Sequence, residues 1–420
     1  MKITLVNTHD LIGGAERCSY DLATQLIARG ELVTLVVGGK LGSDDFVKKM
    51  HYRYFDYKFR EFVHKILGLT DTVLIAPILK CLFGKEFKNA DVFNVHNMHG
   101  EYWNFWTLPI LARYAPIVIT LHDEWFLTGD CAYTYECEKW MSSCGNCPQA
   151  KVLPVINRYA IGGKDLTRIN LFLKRISTKL IPKNKITIVC PSTWLLNKAL
   201  KAKHLRKFDF EKIEYGIDLS VFRPMDMNES RKHFKLPLEK FLIFAPATNI
   251  NDRRKNIKLV FDLIKNTSLH KDILIICTGD EPESELNLLE DSPIRYVGYQ
   301  SKKEQMAKLY SACNVNMALS LADNLPYTII EALACGCPTI GTRVGGIPEI
   351  IKDNKTGWVV PDNCTVDLLL SKINEIYSIS KNKHKDIRTA ARDDALLRFS
   401  TDDFIRKYQE LYQRKITECA

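Results

Sequence analysis

Several features are missing from this chain of 420 residues, and each absence argues against a class of protein. No stretch of 18 consecutive apolar residues occurs, which argues against a transmembrane helix. The first residues, MKITLVNTHD, contain one lysine and no sustained apolar run, so no signal peptide is expected. No basic-aromatic repeat or recognition motif for nucleic acid is present. We therefore expect a cytoplasmic protein with no nucleic-acid partner.

The composition is that of a globular protein, with 46% hydrophobic and 26% charged residues. The length leaves room for two domains, each with its own core. The net charge of +10 indicates an anionic partner, such as nucleotide phosphates or anionic lipid. The odd number of cysteines, thirteen, and the absence of a secretory signal predict reduced thiols, most of them small buried side chains.

The most informative stretch runs from Asn314 to Gly346. An apolar segment, Val315 to Leu319, predicts a strand, and a polar loop then leads into a helix that starts near Tyr327. A second strand, Pro338 to Thr342, follows and ends in a Gly-Gly turn. In an open α/β sheet, ligands bind at the carboxyl ends of strands, and a helix that starts there presents unpaired N–H groups. The stretch therefore predicts an anion site, most often a phosphate site.

Two carboxylates belong to this stretch. Asp323 lies in the polar loop, and Glu331 follows Thr328 by three residues, on the same face of the helix. A carboxylate repels phosphate but accepts hydrogen bonds from hydroxyls, such as those of a ribose or a hexose. The alternative is that Glu331 only complements its helix dipole and that Asp323 is an ordinary loop or capping residue.

Two further loops follow predicted strands. The first strand, Met1 to Asn7, leads through Gly13 and Gly14 into an amphipathic helix, which is the first half of a βαβ unit. Later, the strand Phe241 to Ala245 leads to a basic loop that suits a diphosphate, although an ordinary solvated loop is the alternative. Its cations are Arg253, Arg254 and Lys255.

The strand Ile117 to Leu121 ends in His122, Asp123 and Glu124. This is the edge of the sheet where chemistry is expected. On the residues alone, a single histidine at a strand end is more often structural. His96 and His99 are weaker candidates of the same kind.

Four cysteines occur within 17 residues, as Cys131, Cys137, Cys144 and Cys147. In a reducing compartment such a set fits a structural zinc site with no open ligand position. Two disulfides or four free thiols are the alternatives. A separate segment, Tyr57 to Lys88, mixes apolar and basic residues and fits either a helix at a lipid surface or core-packed helices with solvated lysines. Its basic residues are Lys58, Arg60, Lys65, Lys80 and Lys85.

Taken together, these motifs resemble family 4 of the glycosyltransferases, which are retaining enzymes. The family pattern Glu-x7-Glu resembles Asp323-x7-Glu331, with EALACGCPTIGTRVGG completing the match, although Asp replaces the first Glu. GGAER, the HD after the strand that ends at Leu121, PSTW and GIDLSVFRP resemble further family segments. The resemblance implies the α/β GT-B fold, with two Rossmann-like domains facing across a cleft. The implied domains are 1–212, 213–395 and a terminal helix, 396–420, that crosses back to the first.

The resemblance also implies roles for single residues. Glu331 would hold the ribose of a sugar nucleotide, the backbone from Leu325 to Thr328 its diphosphate, and Asp323 the donor sugar. Tyr299 would lie at the nucleotide base. Further site residues are implied by the same match, namely His122 at the donor sugar and diphosphate, Gly13 and Gly14 at the phosphate or acceptor, Lys255 and Arg254 at the diphosphate, and Asn249 in place of the family's arginine.

The function implied is transfer of a sugar from a nucleotide diphosphate sugar, UDP- or GDP-linked, to an acceptor hydroxyl. The acceptor would be a glycan on a lipid carrier in surface-polysaccharide synthesis, with the enzyme at the inner face of the cell membrane. Because no Asp-x-Asp occurs, no catalytic metal is expected. A sugar-nucleotide epimerase of the same fold and a non-catalytic partner subunit are the alternatives.

Overall fold

A computed structural model describes residues 1–50, 75–100, 102–149, 166–246, 252–265, 269, 271–279 and 293–419. By the contacts within it, the chain divides into two compact units. Unit 1 consists of Met1–Glu214 and Ile405–Ala420, and unit 2 of Tyr215–Phe404.

Unit 1 is built on a parallel sheet of seven strands in the order β3-β2-β1-β4-β5-β6-β7. Its central strands are buried along nearly their whole length, because helices cover both faces of a parallel sheet. The strands are β1 (Lys2–His9), β2 (Leu32–Gly39), β3 (Val47–Lys49), β4 (Val92–Val95), β5 (Ile117–Thr120), β6 (Ile186–Cys190) and β7 (Asp209–Lys212).

The helices of unit 1 connect these strands. They are Gly14–Ala28, Ile75–Phe83, Lys85–Lys88, Thr107–Tyr114, Thr167–Lys179 and Thr193–Lys201, with 3-10 turns at Trp125–Leu127, Lys139–Met141 and Lys183–Lys185. The chain's last helix, Thr401–Cys419, brings two buried tyrosines to the sheet. The Tyr408 hydroxyl lies 2.9 Å from Thr120 Oγ1, and Asn94 Nδ2 donates to the Tyr412 hydroxyl at 2.6 Å.

Unit 2 repeats the architecture with six parallel strands in the order β10-β9-β8-β11-β12-β13. The strands are β8 (Phe241–Ala245), β9 (Ile273–Cys277), β10 (Ile294–Tyr296), β11 (Val315–Ala318), β12 (Thr339–Thr342) and β13 (Gly357–Val360). The helices are Met227–His233, Ile257–Ile264, Lys303–Ala312, Tyr327–Ala334, Ile347–Ile350, Val366–Tyr377 and Lys381–Arg398, with a 3-10 turn at Arg253–Lys255.

Each sheet has one place where the strand order reverses. In unit 1 this place lies between β1 and β4, and in unit 2 between β8 and β11. Loops that leave neighbouring strands in opposite directions open a crevice at such a point, which is where ligands bind in this class of sheet. Throughout the residues that the structure describes, no helix is long and apolar enough to cross a lipid bilayer.

Candidate functional site

The loop after β11 and the helix Tyr327–Ala334 form the first part of the site in unit 2. Pro326 precedes the helix and offers no side-chain cap to its first N–H groups. Gly345, in the turn after β12, packs against this loop with φ +58. A Cβ atom there would lie 1.6 Å from the Asp323 carbonyl oxygen, so only glycine fits. The Gly346 N–H donates to the Asn324 carbonyl at 2.8 Å.

Asp323 is buried within the loop and joins it to the turn after β8. Lys255 Nζ lies 2.7 Å and Arg254 Nη1 lies 3.1 Å from Asp323 Oδ2. Burial by itself would raise the pKa of Asp323, but the two cations hold it below the usual value. The carboxylate is therefore ionised, and it fixes both cations beside the helix start. The ion pairs were not predicted from the sequence.

The turn Arg253–Lys255 is held by its own hydrogen bonds. Asp252 caps the turn by accepting from the Arg254 N–H at 2.9 Å, and it pairs with the Arg254 guanidinium at 3.2 Å. The Leu321 N–H donates to the Arg254 carbonyl at 2.7 Å, which connects this turn to the loop after β11. Asn249, the predicted counterpart of the family's arginine, lies outside the described residues.

Glu331 lies on the buried face of its helix, one turn beyond Thr328. Its carboxylate accepts a hydrogen bond from the buried Tyr310 hydroxyl, with Oε2 at 3.1 Å. Sequence reasoning missed Tyr310. It lies 21 residues before Glu331 on another helix, and only its buried position within the pattern of Lys303–Ala312 could have suggested it.

The other residues predicted for the nucleotide have contrasting environments. Leu325 is buried, Thr328 is half-buried in the first turn of the helix, and Tyr299 is 63% exposed after β10. Tyr327 stacks on Tyr215, with ring centroids 4.7 Å apart and planes 11° apart. Because Tyr215 is a buried residue, this stack anchors the start of the helix.

The glycine loop of unit 1 follows β1. Gly13 has φ +92, and a Cβ there would lie 2.3 Å from Glu16 Oε2. Gly14 begins the helix Gly14–Ala28. Glu16 accepts hydrogen bonds from the Thr8 hydroxyl and from Asn97 Nδ2. The Glu16 carboxylate therefore connects the glycine loop to the carboxyl ends of β1 and β4.

His96 and His122 meet at the ends of β4 and β5. His96 Nδ1 lies 2.8 Å from His122 Nε2, and the rings stack with centroids 5.1 Å apart. Burial lowers the pKa of His122 to about 4 and lowers the pKa of His96 well below its usual value. Both imidazoles are neutral at neutral pH, so the pair offers hydrogen bonds and no charge.

The two acids after His122 are engaged with protein groups. Asp123 Oδ2 lies 2.9 Å from His99 Nε2. Burial would raise the pKa of Asp123, but His99 and the Trp125 N–H lower it. Glu124 is buried, and Lys198 Nζ lies 2.8 Å from its Oε2. Burial raises the pKa of Glu124, although Lys198 opposes this shift. The buried Glu124 carboxylate thus stabilises the loop after β5 through its ion pair with Lys198.

The structure does not support the predicted structural zinc. All four cysteines are described as free thiols, and no group of three or more His, Cys, Asp or Glu side chains in the described part of the chain could hold a metal ion. The hydrogen bond between the Cys131 and Cys147 thiols, with burial, raises the pKa of Cys131. Protein groups hold the loop instead, with Lys139 and Arg175 donating to the carbonyls of Asn146 and Ser142. The fold brings the Cys131 and Cys147 thiols into contact, but the described residues do not form the zinc site that the spacing predicted.

Of the predicted amphipathic segment, Lys58, Arg60 and Lys65 lie outside the described residues. Lys80 and Lys85 line a cavity of about 620 Å³ at the amino-terminal ends of β1 and β2, opposite the glycine loop. Its other charged residues are Lys2, Lys48, Lys49 and Glu86. Glu86 pairs with Lys80 at 2.6 Å.

Comparison with known proteins relates part of the chain to glycosyltransferases. Residues 226–394 match the model of the family Glycosyl transferases group 1. N-acetyl-alpha-D-glucosaminyl L-malate synthase of Bacillus anthracis is 28% identical over 213 residues, covering 49% of this chain and 53% of that protein. The colanic acid glycosyltransferase WcaL of Salmonella typhimurium, described as putative, is 30% identical over 22% of each chain. The chain thus spans about half the length of the first relative and less of the second.

The fold has solved counterparts. The structure of Anabaena Alr3699/HepE in complex with UDP and glucose superposes with a TM-score of 0.66 at 15% identity, covering 98% of this chain and 99% of that one. At this identity the likeness concerns the fold alone. The predicted fold class, two parallel-sheet α/β domains of the GT-B type, is confirmed.

Proposed function

We propose that the chain moves a sugar from a nucleoside diphosphate sugar to an acceptor hydroxyl, with retention of configuration, because residues 226–394 match the model of the group 1 glycosyl transferases. The observation that carries this proposal is the cluster of Arg254, Lys255 and Asp323 beside the start of the helix that holds Glu331. Cations and uncapped N–H groups suit a diphosphate, and the acid one turn later suits a ribose.

In this reaction the protein supplies charge and position. As the bond between the sugar and the diphosphate breaks, negative charge grows on the leaving phosphate. Lys255, Arg254 and the first N–H groups of the helix would stabilise that charge without moving, because Asp323 already holds both cations in place. No protein nucleophile and no catalytic metal are required. In unit 1, the neutral His122 would serve as a site residue that offers a hydrogen bond and no charge.

The nucleotide part of the proposal is supported by a solved counterpart whose structure contains UDP and glucose. Its test is thermal unfolding of the purified protein with UDP, GDP, ADP and CMP. A ligand at about 100 times its dissociation constant adds ~2.7 kcal/mol of stability, which is readily measured. One diphosphate should stand out, and its effect should vanish in Glu331→Ala. If none stabilises the protein, the non-catalytic alternative is favoured.

We further propose that the acceptor is a glycan on a lipid carrier and that unit 1 contacts an anionic membrane surface from the cytoplasm. Similarity to WcaL, a putative colanic acid biosynthesis glycosyltransferase, supports a role in polysaccharide synthesis. The lysine-lined cavity supports the membrane contact. Among the described residues, four of its lysines have no ion-pair partner, namely Lys2, Lys48, Lys49 and Lys85.

Vesicle binding tests the membrane contact. Each lysine near an anionic surface contributes about 1 kcal/mol, so the triple variant Lys2→Gln/Lys48→Gln/Lys49→Gln should bind phosphatidylglycerol vesicles roughly 100-fold more weakly. A matched control replaces three exposed lysines of unit 2 by glutamine, namely Lys381, Lys383 and Lys385. Equal binding of both triple variants would exclude this cavity as the membrane contact.

A further inference from the structure

Tyr310 contacts the acid that the proposed function assigns to the ribose. It lies in the helix Lys303–Ala312 with its side chain fully buried, and its ring packs edge-on against Phe244, with centroids 5.3 Å apart and planes at 73°. An aromatic side chain has only two side-chain torsions, and close packing on all sides leaves it one orientation. The hydroxyl is therefore fixed in space, 3.1 Å from Glu331 Oε2.

The Tyr310 hydroxyl is the hydrogen-bond donor in this contact. Burial, together with the nearby Glu331 carboxylate, raises its pKa well above the usual value, so it keeps its proton. A carboxylate has about four acceptor positions, so one bond from Tyr310 leaves the capacity to accept others. By contrast, the Glu331 side chain has three torsions of its own and needs an external contact to hold one orientation.

We propose that Tyr310 is a positioning residue that holds the Glu331 carboxylate in the orientation that accepts the ribose hydroxyls, and that it thereby sets a preference for ribonucleotides over 2′-deoxyribonucleotides. The inference rests on the proposed function, because it assumes that Glu331 meets a ribose. It adds a residue from a different helix to the nucleotide site. By this proposal, the Tyr310 hydroxyl affects the choice between ribose and 2′-deoxyribose through its contact with Glu331, without contacting the sugar itself.

The test compares two nucleotides in four proteins, namely the wild type and three variants. Of UDP, GDP and ADP, the one that binds the wild type most tightly is used with its 2′-deoxy form, and dissociation constants are measured by calorimetry. A hydrogen bond to a charged group gives the wild type a preference of about tenfold to hundredfold for the ribonucleotide. In Tyr310→Phe, which removes one oxygen and keeps the ring packing, the preference should fall to below about threefold.

The chain offers a matched control in Tyr377→Phe. Tyr377 belongs to the same unit, its hydroxyl donates to Asp272 Oδ2 at 3.3 Å, and its ring packs edge-on against Phe241. This variant should keep the full preference of the wild type. Glu331→Gln gives the loss expected when the carboxylate itself is changed, and a cooperative melt checks that each variant is folded.

The outcomes separate this inference from the function on which it rests. If no nucleoside diphosphate binds the wild type, the proposed function fails and the inference fails with it. If the wild type binds and discriminates, and Tyr310→Phe discriminates as well as the wild type does, the inference alone is overturned. It is also overturned if Tyr377→Phe loses the preference to the same extent.

Discussion

The two clusters at the carboxyl ends of the strands differ in how they carry charge. In unit 2, Arg254 and Lys255 meet Asp323, so ionised groups hold one another at the start of a helix. In unit 1, His96 and His122 face each other as buried, neutral rings. The first arrangement suits a charged ligand group, and the second suits an uncharged one.

The difference has a physical origin. A buried ion is costly unless a partner of opposite charge lies close by, and the Asp323 cluster supplies that partner from a neighbouring strand loop. In unit 1 the neighbouring carboxylate of Asp123 lies 2.9 Å from His99 Nε2, and His96 and His122 lie within hydrogen-bond distance of each other. In unit 1, burial therefore lowers the pKa of both imidazoles, and both are uncharged at neutral pH.

The largest expected effect comes from removing a cation of the charged cluster. Lys255→Ala should lower the turnover of sugar transfer by about 10²–10³-fold, because the developing charge on the diphosphate loses a preorganised donor. The measurement is the steady-state rate with saturating donor.

Lys258 gives a matched control for this substitution. It lies three residues further along, is 82% exposed at its side chain and pairs only with Asp262 among the partners that the structure records. Lys258→Ala should keep nearly full turnover. Turnover of Lys255→Ala above a tenth of the wild-type value would remove Lys255 from the catalytic cluster.

The next largest effect is a loss of stability at acidic pH, and it comes from the neutral pair of His96 and His122. His122 has a folded pKa of about 4 and an unfolded value near 6.5. Between these values the unfolded chain binds more protons, so the free energy of unfolding falls as pH falls from 6.5 toward 4. The loss reaches about 3 kcal/mol at the lower limit, and it should be absent in His122→Gln.

Urea unfolding at several pH values between 7 and 4.5 measures this loss. His96 is present in both proteins, so the difference between their pH slopes reports His122 and its contact. If the free energy of unfolding declines equally in the wild type and in His122→Gln, His122 is not held neutral in the folded protein. The two clusters would then not differ in charge.

The members of the charged cluster were predictable from sequence, but their mutual bonds were not. Asp323, Arg254 and Lys255 lie in loops that follow predicted strands, which is a local signal. Lys255 and Asp323 lie 68 residues apart, and they meet because β8 and β11 are neighbours in the sheet. Strand order is a property of the whole fold, so a local pattern does not contain it.

The dependence of contacts on the whole fold also explains which other features the sequence did and did not predict. The buried runs of both sheets predicted parallel α/β architecture, because strands covered on both faces have little polar alternation. The four clustered cysteines predicted zinc from spacing, but the described residues contain no group of three or more His, Cys, Asp or Glu side chains that could hold a metal ion. Tyr310 was missed because its partner lies on another helix.

The smallest effect is expected from removing the negative charge that holds the two cations together. Asp323→Asn keeps the size of the side chain but leaves Lys255 and Arg254 without their shared carboxylate, which should cost about 1–3 kcal/mol of unfolding free energy at pH 7. Because the two cations lower the pKa of Asp323, this stability is present above the unfolded pKa and is lost as pH falls through the folded value. Asp262→Asn, which breaks an exposed pair with Lys258, should cost less than about 0.5 kcal/mol. Equal losses in the two variants would mean that Asp323 behaves as a surface acid and that the two clusters do not differ in the way argued above.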